Sequence, residues 1–199
     1  MIDIMKLLAL LSTGIDSPVA CYLMLRRGFD LEYLHFSSSK NFKIKRIVSL
    51  LKNFGGLSRF FQISHSKMMD EILKLEFDRK YTCVMCKKGM LLTAEVLAEK
   101  LGCEALLTGD NLGQVASQTL SNLRAEEEQL EIPVLRPLIA FDKVEIVEIA
   151  RKIGSYEISI EKEEKCKYAP KKPATKAKNL PKIDVEKLKK LKVEEVILD

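Results

Sequence analysis

Apolar runs that alternate with amphipathic stretches constrain this chain more than any other feature. Leu7–Leu11, Leu31–Phe36, Arg59–Ile63 and Ala105–Thr108 are apolar and of strand length. Between and beyond them, Ser17–Arg27, Phe42–Phe54, Met68–Phe77, Lys87–Leu101 and Lys143–Lys152 read as helices, with a short one near Gln114–Leu123. In Lys87–Leu101, Met90, Leu91, Ala94, Leu97, Ala98 and Leu101 recur at helical spacing, and Gly102 follows where a helix end favours glycine. Strands alternating with helices imply βαβ units and a parallel sheet covered on both faces. The expected fold is therefore α/β, a Rossmann-like doubly wound parallel sheet. Such sheets bind ligands beyond the carboxyl ends of their strands. Ser12–Ser17, Thr108–Gln114 and the stretch after Leu135 fall there.

A length of 199 residues suits one domain with a tail. Residues 1–160 carry the strand and helix pattern. Residues 161–199 form a lysine-rich extension, punctuated by Pro170, Pro173 and Pro181 and closing on a small helix, Val185–Leu191. Residues 165–182 hold seven lysines and no acid, which fits either a solvated tail or a surface for a phosphate backbone. No apolar run has membrane length, and the first twelve residues lack the cleavage site of a signal peptide. With five cysteines and no secretion signal, the expected place is the cytoplasm, where cysteines serve as metal ligands, catalytic thiols or core residues.

Ser12-Thr13-Gly14-Ile15-Asp16-Ser17 follows the first strand and opens a helix. A helix N-terminus leaves N–H groups unpaired and its dipole favours an anion. The hydroxyls add donors, Gly14 permits close backbone approach, and Pro18 costs little in a first helical turn. Asp16 would repel a phosphate unless it orients Mg²⁺. The ordinary structural reading is a strand–turn–helix with Ser and Asp as caps. No Gly-Lys-Ser/Thr follows, so this is not a Walker loop.

The loop resembles the SGGxDS motif of PP-loop ATP pyrophosphatases, with Thr13 in place of a glycine. Further blocks are Thr108-Gly109-Asp110-Asn111-Leu112-Gly113-Gln114 running on to Leu120, Pro133-Val134-Leu135-Arg136-Pro137-Leu138-Ile139, Asp142-Lys143, and Ala150–Gly154. Together, over about residues 7 to 178, they resemble the catalytic domain of ThiI-type tRNA sulfurtransferases. The resemblance implies an adenine nucleotide alpha hydrolase-like fold that uses ATP and Mg²⁺ to adenylate a uridine carbonyl oxygen before sulfur replaces it. It implies nucleotide contacts from Ser12, Thr13, Gly14, Ile15, Asp16, Ser17, His35, Phe36, Gly109, Asp110 and Gln114, and catalytic roles for Asp16, Lys143 and Cys166. Such proteins normally carry an N-terminal THUMP region that grips tRNA, whereas six residues precede the first strand here. The expected partners are thus tRNA, a THUMP-like partner or an oligomer, and a sulfur donor protein or sulfide. Two other functions fit the residues: thiolation of a small molecule or carrier protein, and a non-catalytic ATP- or AMP-binding subunit.

Cys83-Val84-Met85-Cys86 is expected just before the long helix, where Lys87, Lys88 and the helix N-terminus would lower the thiol pKa values. Cys166, 23 residues after Lys143, matches the family's sulfur-handling cysteine, and Pro173 and Thr175 match the residues after it. Three readings stand open. Cys83 and Cys86 form a disulfide that resolves a persulfide on Cys166; or Cys83, Cys86 and Cys166 hold a [4Fe-4S] cluster; or a zinc site recruits His65. Cys21 and Cys103 read as core residues.

Overall fold

A computed structural model describes residues 5–37, 42–55, 59–113, 118–163 and 166–198. Six strands form one sheet in the order β5-β4-β1-β2-β3-β6: β1 (Lys6–Leu10), β2 (Asp30–Ser37), β3 (Phe60–Ser64), β4 (Ala105–Leu107), β5 (Val134–Leu135) and β6 (Val193–Glu195). The first five are parallel and β6 runs antiparallel to β3. Leu7 pairs with Leu31 on one side and Ala105 on the other, so the strand order reverses at β1 and β4. A reversal of this kind opens the crevice in which doubly wound sheets bind ligands.

The period of two in β1 divides the core. Leu8 and Leu10 face α3 (His65–Ile72) and α4 (Thr82–Leu101). Leu7, Ala9 and Leu11 face α1 (Asp16–Leu25) and α2 (Phe42–Lys52). A third apolar cluster joins α1 to α6 (Lys143–Ile153) through Val19, Ala20, Ile146 and Ala150. Cys21 and Cys103 are buried in or beside strands and helices, as expected of small core residues.

The expected strands and helices appear with ends shifted by a few residues, with one consequential correction. The helix expected from Lys87 begins at Thr82. Val84 and Met85 are fully buried and extend its apolar face by another turn, so Cys83 and Cys86 lie within the helix, three residues apart on one side. The helix expected near Gln114–Leu123 appears as α5 (Leu120–Glu127), capped by the Thr119 hydroxyl; residues 114–117 lie outside the described residues. Strands β5 and β6 and the short helix α7 (Ser155–Ser159) carry too few residues to show a period.

The C-terminal segment is packed onto the sheet. Asn122, fully buried on α5, donates to the Ala174 carbonyl at 2.9 Å and accepts from the Ala177 amide at 2.8 Å. Thr119 donates to the Thr175 carbonyl at 2.6 Å. Beyond them Ile183, and Leu188 from α8 (Val185–Leu188), enter the α3–α4 core, and β6 closes the sheet edge. No helix among the described residues is long and apolar enough to cross a membrane.

Candidate active site

The loop between β1 and α1 is held by its own serines. The Ser12 amide donates to Ser17 Oγ at 2.8 Å, the two hydroxyl oxygens lie 2.9 Å apart, and the Gly14 amide donates to Ser12 Oγ at 3.3 Å. No side chain caps α1, which leaves its first N–H groups directed at the loop mouth. Gly109, following β4, presses against this turn. A Cβ there would stand 2.6 Å from the Ser17 nitrogen and 2.7 Å from its Cα, so no larger residue fits without moving backbone. The glycine therefore lets the chain after β4 lie directly against the start of α1.

Lys143 crosses to the same place. Its partner is Asp16, Nζ to Oδ1 at 2.5 Å, across 127 residues of sequence. Asp142 caps α6 in a full capping box with Glu145, which fixes Lys143 as the first helical residue. Asp142 thus serves as the helix cap, and the lysine beside it still reaches the Ser12–Ser17 loop.

Asp110, its neighbour Asn111, His35 and Phe36 lie in buried surroundings. Asp110 is buried and bound to Lys87, to the Thr108 hydroxyl at 2.8 Å and to Arg136 Nε at 3.4 Å. Against the cost of burial, Lys87 and Arg136 hold its carboxyl below the usual range. Asn111 donates to the carbonyls of Leu138 at 2.9 Å and Phe141 at 2.5 Å, and so ties the loop before α6 to β4. Both side chains are engaged by other groups of the protein in this structure. His35 is buried, with Nδ1–H donating to the Leu11 carbonyl at 2.9 Å; burial lowers its pKa and keeps it neutral. Phe36 packs into the α3–α4 core. Gln114 lies outside the described residues.

The three candidate sulfur cysteines share one neighbourhood, in which Cys83 and Cys166 both act electrostatically on Cys86. Cys86 Sγ lies 3.2 Å from His65 Nε2, and His65 stacks edge-on against Tyr168 at 5.5 Å. The expected lowering of the thiol pKa values is reversed. Burial pushes Cys86 up to about 12 and raises Cys83, while Lys87 opposes this only weakly because Asp110 already engages it. Lys88 is fully buried and turned toward Glu128, 3.3 Å away. Among the described residues, no three His, Cys, Asp or Glu side chains converge to hold a metal ion. The donor chemistry suits a cluster, but the arrangement of the described side chains does not.

Sequence reasoning missed Glu126. It is buried on α5, its Oε2 has no hydrogen-bond partner among the described residues, and burial pushes its pKa from 4.5 up to about 8. Across that window the folded chain keeps a proton that the unfolded chain releases, so stability falls as pH rises and levels off above about 8. Glu126→Gln is expected to flatten the decline in melting temperature between pH 5 and 8, a difference on the order of a few kcal/mol at the upper end. Melts of both proteins across that range check it; parallel curves would mean that the carboxyl is ionised in the fold.

Comparison with known proteins identifies the site's relatives. The family model for ThiI, thiamine biosynthesis protein, matches residues 4–193. A probable tRNA sulfurtransferase of Methanocaldococcus jannaschii is 48% identical over 192 residues, covering 94% of this chain and 49% of that protein. A probable tRNA sulfurtransferase of Thermococcus kodakarensis is 41% identical over 175 residues, covering 84% and 46%. A crystal structure of a 4-thiouridine synthetase–RNA complex with bound ATP superposes with a TM-score of 0.83 at 39% identity, covering 96% of this chain and 55% of that one. The chain thus spans about half the length of the curated relatives it matches.

Proposed function

Since the chain belongs to the ThiI family, we propose that it uses ATP to adenylate a uridine carbonyl in tRNA and then replaces that oxygen with sulfur, forming 4-thiouridine. The observation that carries this reading is the Asp16–Lys143 pair at the mouth of the phosphate loop, assembled from two ends of the fold. The bound ATP and RNA of the similar 4-thiouridine synthetase support it.

In this mechanism the α1 amides and the serine-braced loop hold the phosphates in a geometry set before substrate arrives. Asp16 is a partly exposed carboxylate that offers oxygen donors of the kind Mg²⁺ takes, and the ion would neutralise the departing pyrophosphate. Uracil O4 attacks the α-phosphorus, and the Lys143 ammonium offsets the charge that develops there. Cys166, exposed, carries the incoming sulfur as a persulfide. Its terminal sulfur attacks C4 of the adenylated base and AMP leaves. The Cys83 thiolate then attacks Cys166 Sγ, forming a disulfide and releasing the thiolated base, and an external dithiol reduces the disulfide. Cys83 suits this role better than Cys86, which is more deeply buried. Lys167, Lys171, Lys172, Lys176 and Lys178 are exposed along the segment that carries Cys166, a surface suited to the RNA backbone. Free thiols and a dithiol-dependent turnover suit a reducing compartment, which supports the reading of a cytoplasmic protein.

The test incubates the chain with ATP, Mg²⁺, a persulfide-bearing sulfur donor, a dithiol reductant and unmodified tRNA, and measures 4-thiouridine by nucleoside mass spectrometry. Appearance of 4-thiouridine with matching AMP release is expected. ATP turnover with a thiolated carrier protein and unchanged tRNA would replace tRNA with a carrier protein as the substrate.

A further inference from the structure

One face of the phosphate loop is occupied by side chains outside every motif. Thr13 Oγ1 donates to Glu163 Oε2 at 2.5 Å. The same carboxylate oxygen lies 3.6 Å from Lys43 Nζ. Lys43, in the first turn of α2, is only 8% exposed. Its ammonium donates to the carbonyls of Ser159 at 2.9 Å and Glu161 at 3.1 Å. Ser159 in turn donates to the Gly14 carbonyl at 3.2 Å, which fastens this lysine's supports to the phosphate loop itself. The charge of Glu163 also reaches His35, at the end of β2.

A buried ammonium is costly unless an anion compensates it. Two carbonyls fix the direction of Lys43 and an anion must supply the charge. Glu163 supplies it from a side chain that remains 42% exposed, so the carboxylate can withdraw to water while the lysine cannot. Its oxygen bridges a loop hydroxyl and a cation beside an uncapped helix N-terminus, a setting that suits a phosphate oxygen equally well.

We infer that Lys43 is a phosphate-binding residue of the nucleotide site, for which the Glu163 carboxylate and a phosphate of ATP compete. The inference rests on the proposed use of ATP and adds a cation and a competing anion to that site. Phosphate binding at Thr13 and Lys43 turns Glu163 out to solvent.

Calorimetric titration of ATP into wild type, Lys43→Met and Glu163→Gln tests this, with thermal melts confirming that each variant is folded. Lys43→Met is expected to weaken ATP binding by about tenfold or more, the effect of one charge-assisted bond. Glu163→Gln is expected to tighten it by about threefold to tenfold, because the competitor loses its charge. A purely structural role predicts no tightening. Unchanged or weaker binding by Glu163→Gln overturns the competition, and unchanged binding by Lys43→Met overturns the assignment of the lysine. If either variant fails to fold, the other still decides. Wild-type protein that binds no ATP removes the proposed function along with this inference, whereas wild-type binding with both variants unaltered removes only the inference.

Discussion

Asp16→Ala is expected to cut pyrophosphate release by about a thousandfold or more while the protein stays folded. Groups that meet charge developing at a reacting phosphorus typically supply effects of this size. The fold is spared because Asp16 sits at the mouth of the site and its partner Lys143 is about half exposed, so water can solvate the lysine once the carboxylate is gone. Lys143→Ala should fall as far in turnover but keep most of its ATP affinity, because its charge acts mainly in the transition state. If the two residues act as a unit, the double variant is no slower than the slower single one. Single-turnover pyrophosphate release with each variant checks this. Undiminished release by Asp16→Ala sinks the adenylation mechanism, and equal loss of affinity and rate in Lys143→Ala moves the lysine to ground-state binding.

Cys166→Ser separates the two half-reactions. Adenylation is expected to persist, seen as tRNA-dependent pyrophosphate release, while 4-thiouridine falls to background, a loss of about a thousandfold or more. The residue is exposed and no described contact of its side chain supports the core, so unfolding would not account for the result. Cys83→Ser should allow a single round in which the base stays linked to Cys166, detectable as a protein–RNA adduct that dithiol cleaves. Thiolation that survives in Cys166→Ser would remove the persulfide route. Iron and colour in anaerobically prepared protein, lost on replacing any of Cys83, Cys86 or Cys166 but not Cys21, would assign the three thiols to a cluster instead.

Much of this site is legible in the chain because its parts are local. A strand, a glycine, a carboxylate and a hydroxyl within six residues produce a helix N-terminus open to an anion, since main-chain geometry alone creates that electrostatic preference. The alternation of apolar runs likewise dictates a parallel sheet, and with it the edge on which the loop must lie. Gly109 was recognisable as part of a block, but its reason is tertiary: the backbone of Ser17 occupies the space where a side chain would be.

What only the folded chain decided are charges and neighbours that lie far apart in sequence. Adjacent lysines promised acidic thiols at Cys83 and Cys86, yet Lys87 is engaged by Asp110 and Lys88 is turned toward Glu128, so burial wins and the thiols rise. Asp110 and Asn111 look like ligands in a motif, and packing sets them against Lys87, Arg136 and two carbonyls. Nothing around Lys43, Glu126 or Glu163 in the sequence sets them apart from solvated surface charges. An ionisable group gains a role from its desolvation and its partners, and both are set by the close packing of segments more than a hundred residues apart, as when α7 and Glu163 come to rest on the phosphate loop.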